Sequence, residues 1–223
     1  MTKYLQNLFS FIILFLAVCL AIFANWQWPL YEYFGDTSFY RFVWLGIFFV
    51  LLDLILEIIS KAIKQLNLMA EIMGFAGDIK KMSGEFHAVQ KVALSNNSKA
   101  DYVVVGSSGV WLLTLQGDGG NITFNGDDIL QNDRVLKGLL TSSLQKAYSL
   151  IAALKDKLNR EFKVSPVIVF LTSVANLDTV PKNVRGVYVT SNKDAVSLIE
   201  NTDVQLIDKH TIEEISGYLH TLK

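Results

Sequence analysis

Between Ala100 and Gly120 the chain reads ADYVVVGSSGVWLLTLQGDGG, two apolar runs of strand length separated by Ser107-Ser108-Gly109. Val103 to Val105 and Val110 to Leu113 are β-branched or bulky throughout. Such runs fit a pleated, buried surface, and the glycine supplies the one residue in the turn that tolerates positive φ. The stretch therefore predicts a buried β-hairpin, and the chain after Ile59 is read as its support.

The remainder divides by hydropathy. From Tyr4 to Tyr31 there is no charged residue, and Leu8 to Ala24 falls within the range of about 17–25 apolar residues that spans a bilayer core. Trp26, Trp28, Tyr31 and Tyr33 then crowd around Pro29 in the manner of an interfacial aromatic belt. A second run, Phe39 to Ile59, is also of spanning length and carries Asp53 and Glu57. Residues 1–60 are accordingly expected to form a two-helix transmembrane hairpin, with residues 61–84 as an amphipathic connector and 85–223 as a separate domain. Lys3 before the first run and Lys61 and Lys64 after the second, against Glu32 and Asp36 between them, put both termini and the soluble domain in the cytoplasm under the positive-inside rule. The expected localisation is the bacterial cytoplasmic membrane, with the lipid bilayer as partner. Cleavage as a signal peptide is disfavoured because Ile22-Phe23-Ala24 lacks the small residue at −3, and Val18 before Cys19 departs from a lipobox.

Asp53 and Glu57 lie four apart and share a helix face, where an acid near the bilayer centre costs a few kcal/mol. Glu57 has Lys61 as its i+4 partner. For Asp53 two readings stay open: an acid outweighed by apolar neighbours, or one facing another helix of the hairpin or of a second copy, which would make the hairpin a homo-oligomer contact.

Charge and cysteine content narrow the chemistry. Lys3 and Arg41, and Glu32, Asp36, Asp53 and Glu57, precede Ile59, which leaves 18 basic and 17 acidic residues after it out of 20 and 21. This near-neutral domain gives little of the basic footprint of a strong nucleic-acid binder. Lys155, Lys157, Arg160 and Lys163 cluster, but Asp156 and Glu161 are interleaved and the cluster reads as a solvated helix end. A single cysteine excludes an intramolecular disulfide, and three scattered histidines give no zinc-ligand spacing. No metal site and no cofactor are predicted. The glycines at 117, 119 and 120 match no phosphate-binding fingerprint and read as turn residues.

Elsewhere the periodicity predicts a first strand over Phe86 to Leu94, a short ribbon from Ile122 to Phe124 and Asp128 to Leu130, and a long helix from Arg134 to Leu158. That helix carries Leu136, Leu140, Leu144, Ala147, Ile151, Leu154 and Leu158 on one stripe. Ser165 to Ser173 is almost continuously apolar, as in a central strand covered on both faces, and Val184 to Ser191 is the next. Ser191-Asn192-Lys193-Asp194 and Thr211-Ile212-Glu213-Glu214 have the spacing of capping boxes that open two closing helices.

Asp101-Tyr102-Val103-Val104-Val105, followed by Ser108-Gly109-Val110-Trp111, resembles the centre of the nuclease-related domain (NERD), a restriction-endonuclease-like family of the PD-(D/E)xK group. The resemblance covers roughly Glu71 to Glu200 and is best over Asp101–Leu113 and Val167–Thr190. It implies an α/β domain with a mixed central sheet flanked by helices. It also implies a divalent-metal site with Asp101 as first acid, Glu71 as an early-helix acid and Gln145 as a helix glutamine. Thr141 and Ser142 stand where the family has Asn and Pro. The two positions that hold Glu and Lys in the family hold Thr114 and Gln116. Two acids bind the cation and the lysine supports the attacking water, so neutral side chains at both places remove what Mg²⁺-dependent hydrolysis requires. Asp118 is a poor substitute from a turn.

Three functions follow as expectations. The first is a NERD-like domain at the membrane with a degenerate nuclease site, a pseudoenzyme serving binding or assembly. The second is a metal-dependent nuclease on DNA or RNA with an irregular site, for which Mg²⁺ would be the cofactor. The third is a structural, oligomer-forming membrane protein.

Overall fold

The structure, a computed structural model, describes residues 37–82, 84–94, 98–117, 120–171, 177, 179–202 and 205–222. The predicted span Leu8–Ala24, the aromatic belt from Trp26 to Tyr33, Cys19 and Asp118 lie outside them. Two compact units divide the chain, residues 1–69 and 70–223.

In the first unit the described element is helix α1, Thr37–Lys80, whose last turns belong to the second unit. The membrane hairpin is corrected here: among the described residues no helix is long and apolar enough to cross a membrane. Charge spacing is the reason. From Phe49 onward Asp53, Glu57, Lys61 and Lys64 recur every three or four residues. A window of bilayer length, about 20 residues, that starts at Phe49 takes in all four, and each costs about 2.5–3.5 kcal/mol at a span's centre. The run from Phe39 to Ile59 is the first part of one 44-residue helix. Along it Glu57 holds Lys61 at 2.5 Å and Asp53 is exposed.

The second unit is an α/β domain. Its six-stranded mixed sheet has the order β1-β2-β3-β7-β9-β8, built from β1 (His87–Ala93), β2 (Lys99–Gly106), β3 (Gly109–Gln116), β7 (Val164–Phe170), β8 (Asn183–Val184) and β9 (Val187–Ser191). The first three strands form an antiparallel meander, and β3, β7 and β9 run parallel. A three-stranded ribbon, β4 (Ile122–Phe124), β5 (Ile129–Gln131) and β6 (Arg134–Val135), sits between β3 and helix α2 (Leu139–Leu158) in the chain. Helices α3 (Ala195–Asn201) and α4 (Lys209–Thr221) follow β9.

The central strands are apolar without alternation because both faces are covered. All seven residues of β7 are buried, and Val103 to Val105 and Val110 to Leu113 are fully inaccessible. On one face Val103, Val105, Val110 and Leu112 join Ala147, Leu150 and Leu154 of α2 and Ile212, Ile215 and Leu219 of α4. On the other, Tyr102 meets Phe75 of α1 edge-on at 6.0 Å, and Trp111 meets Tyr188 at 5.5 Å. Burial of each such aliphatic side chain contributes about 1.5–3 kcal/mol.

Three local expectations shift. The long helix begins at Leu139, not Arg134, because Asn132 and Asp133 take positive φ (47° and 62°) and fold Arg134–Val135 back onto β5 as a two-residue hairpin. Its inward stripe is Leu140, Ser143, Ala147, Leu150 and Leu154. The last helix is capped by Asp208, whose carboxylate accepts from Thr211 N–H and Oγ1, so Thr211 lies inside the first turn. At the other expected box Ser191 and Asp194 do bond each other, Ser191 Oγ donating at 2.7 Å, just ahead of α3.

These bonds from Thr211, the side-chain one foremost, hold the Asp208 carboxyl below the usual aspartate range. With the folded value depressed, the cap's contribution is present above the unfolded pKa and is lost as pH falls through the folded one. Asp208→Ala is expected to lower the melting temperature at pH 7, with the gap to wild type closing as the pH is taken below about 4, measured by circular dichroism melts. At Gly106 an added Cβ would lie 2.1 Å from the Phe86 ring. Gly106→Ala should destabilise the domain by about 1–3 kcal/mol, and most of that loss should vanish in a Phe86→Ala background, as read by chemical denaturation.

Candidate functional site

The register between β2 and β3 ends at Tyr102–Leu113. One residue further, Asp101 and Thr114 would be opposite, but here the strands part and β3 continues against β7 alone, with Thr114 beside Ile168 and Gln116 beside Phe170. Leu171 N–H donates to Gln116 O, so by alternation Leu115 turns its backbone the other way, toward the departed β2. The Asp101 carboxylate fills that gap, its Oδ2 accepting from Leu115 N–H at 2.8 Å. A side chain thus replaces a ladder bond at the point where the sheet opens.

The two positions where the resemblance implies an acid and a lysine are neutral. Thr114 is half-buried, and its hydroxyl is shielded from solvent with no hydrogen-bond partner among the described residues. Gln116 is half-buried at the end of β3. Strand alternation sets Asp101, Thr114 and Gln116 on the face that α2 covers, as it does Val103 and Leu112.

Glu71 and Gln145 are not brought to this point. Glu71 lies one turn before Phe75, which packs on Tyr102 and therefore on the opposite face. Gln145 is exposed on α2, two residues past the inward-facing Ser143. Ser143 is the residue that the sequence reading passed over; its Oγ is buried without a partner among the described residues. The signal that would have found it is the helix phase, 140-143-147-150-154, which the longer stripe beginning at Leu136 obscured.

Next to Asp101, the Tyr102 phenol is pushed above its ordinary pKa by burial first and by the Asp101 carboxylate second, and it accepts a bond from Gln90 Nε2 at 3.1 Å. It stays protonated at neutral pH. Two of the four basic residues at the end of α2 are paired: Lys155 with Glu161 at 2.5 Å, and Arg160 with Thr211 at 3.3 Å and Glu214 at 3.9 Å. Among the described residues no three His, Cys, Asp or Glu side chains gather as a metal site would need.

No protein-family model, curated protein or solved structure matches the chain.

The geometry separates a structural from a catalytic Asp101. Asparagine keeps an oxygen that can accept from Leu115 N–H, whereas alanine does not. Asp101→Ala should cost about 1–3 kcal/mol, the range for leaving a buried donor unsatisfied, and Asp101→Asn should retain most of the stability, both measured by urea denaturation.

Proposed function

We propose that residues 70–223 form a nuclease-related, restriction-endonuclease-like domain whose catalytic site has been emptied, and that the domain acts by binding or assembly. The order of elements supports the reading: a helix, a three-stranded antiparallel meander, a long helix, and then parallel strands beside the third. Asp101 stands on the second strand and Thr114 and Gln116 on the third, the positions that the resemblance requires.

The observation that carries the loss of chemistry is the use made of Asp101. Its carboxylate is engaged by Leu115 N–H, and the positions beside it offer a hydroxyl and an amide where a second carboxylate and an ammonium are needed. One carboxylate can hold a largely hydrated Mg²⁺ only loosely, and no cation stabilises the charge that develops on the transferring phosphate. Neutral replacements also relieve the cost of buried carboxylates that lack a metal.

The purified full-length chain, incubated with DNA and RNA in Mg²⁺ or Mn²⁺, should show no cleavage above background, and Asp101→Asn should behave as wild type. Metal-dependent cleavage abolished by Asp101→Asn would overturn the reading in favour of an active nuclease with an irregular site. Thr114→Glu combined with Gln116→Lys should introduce Mn²⁺ binding detectable by calorimetry.

A further inference from the structure

Beside β9 lies a cavity of about 550 Å³, within the range of about 300–1,000 Å³ that ligand sites occupy. Three successive residues, Val189, Thr190 and Ser191, line it. Side chains alternate along a strand, so three in a row border one cavity only where it runs along the strand's edge. Among the described residues that edge is unpaired beyond Val189. The register of β8 against β9 covers only Val187 and Tyr188, and Val189 N–H donates to Lys182 O at 3.1 Å. Asn192 N–H donates to Phe170 O, so Asn192 and Thr190 face β7 and Ser191 directs its N–H outward, into the cavity.

Charge marks the two ends of this edge. Lys182 lines the cavity where β8 stops, and among the described residues its side chain makes no ion pair. Asp194 lines the other end, held by Ser191 Oγ at 2.7 Å. Val180 and Leu198 supply apolar wall, and Asn201 a polar rim.

We propose that this cleft binds the free C-terminal end of an extended peptide. The peptide runs antiparallel to β9 in the lane that β8 vacates, with a carbonyl on Ser191 N–H and its terminal carboxylate on Lys182. An internal strand would gain little from one free N–H. A terminal carboxylate adds a charge-assisted bond, about twice as strong as a neutral one, at the place where the lane is closed. The amino-terminal side of the peptide then points toward Asp194, which favours its N–H groups and disfavours acidic residues there. Strand addition with carboxylate capture is a recognised mode of peptide binding. The cleft is separated from Asp101 by β3 and β7, so the inference stands or falls independently of the emptied nuclease site.

The test uses the full-length chain and an immobilised random tetrapeptide library with free C-terminal carboxylates, selected binders being remeasured by fluorescence anisotropy. Amidation of the C-terminus should weaken binding at least tenfold, as should Lys182→Glu, while Lys182→Arg stays within about threefold and Asp101→Asn has no effect. Melting curves of the Lys182 variants confirm folding, and the comparison of acid with amide needs no variant at all. The proposal is overturned if no tetrapeptide is selected, if acid and amide bind equally, if Lys182→Glu binds as wild type, or if free amino acids compete as well as the tetrapeptides.

Discussion

The burial of β3 and β7 against each other on both faces is the constraint from which the domain follows. These two parallel strands lie at the middle of the sheet, and almost none of their apolar surface reaches water. A strand pair of this kind cannot be stable with one face open. It therefore requires α2 and α4 on one side and the end of α1 with Phe75 on the other. The parallel connection between β3 and β7 demands a crossover, and α2 with its preceding ribbon supplies it.

The same arrangement accounts for where polar groups collect. Strands β3, β7 and β9 end side by side, with Gln116, Phe170 and Ser191 in register. Backbone groups that lose their neighbours at these ends must find others. Leu115 N–H is taken by Asp101, and Asn192 Nδ2 reaches Leu171 O at 3.3 Å. Thr114 Oγ1, Ser143 Oγ and Asn192 Oδ1 are shielded polar atoms without partners among the described residues. A few such atoms are ordinary in a native domain of this size.

Edges tell a complementary story. On one side of the sheet β1 is closed by α4, with Ala93 N–H donating to Leu222 O. On the other, β8 covers only the first half of β9. An exposed strand edge is a pairing surface unless it is shortened or charged. Here it is short and flanked by Lys182 and Asp194, which limits open-ended pairing with other chains while leaving room for a ligand whose own charges match.

The sequence by itself determined the parts governed by short-range pattern. The hairpin from Lys99 to Gln116, the buried strand around Val167, the ribbon at Ile122 and the helical stripe through Leu140 and Leu154 all follow from period and composition, which act on neighbouring residues. So did the charge deficit at Thr114 and Gln116, which is a matter of residue identity. Where the long helix begins was decided by two positive-φ residues whose turn pairs Val135 with Leu130. That Asp101 serves Leu115 N–H, that Glu71 packs on the opposite face and that Gln145 faces outward depend on where strands part and how helices are phased against a sheet. The same limit applies to Asp53 and Glu57, whose apolar surroundings in sequence suggested a bilayer while the charge spacing along one continuous helix argues otherwise. Contacts between residues far apart in the chain set these features, and no local pattern encodes them: among the described residues the edge at Ser191 is unpaired because β8 stops after two residues, and the sheet, not the sequence around Ser191, fixes which way its N–H points.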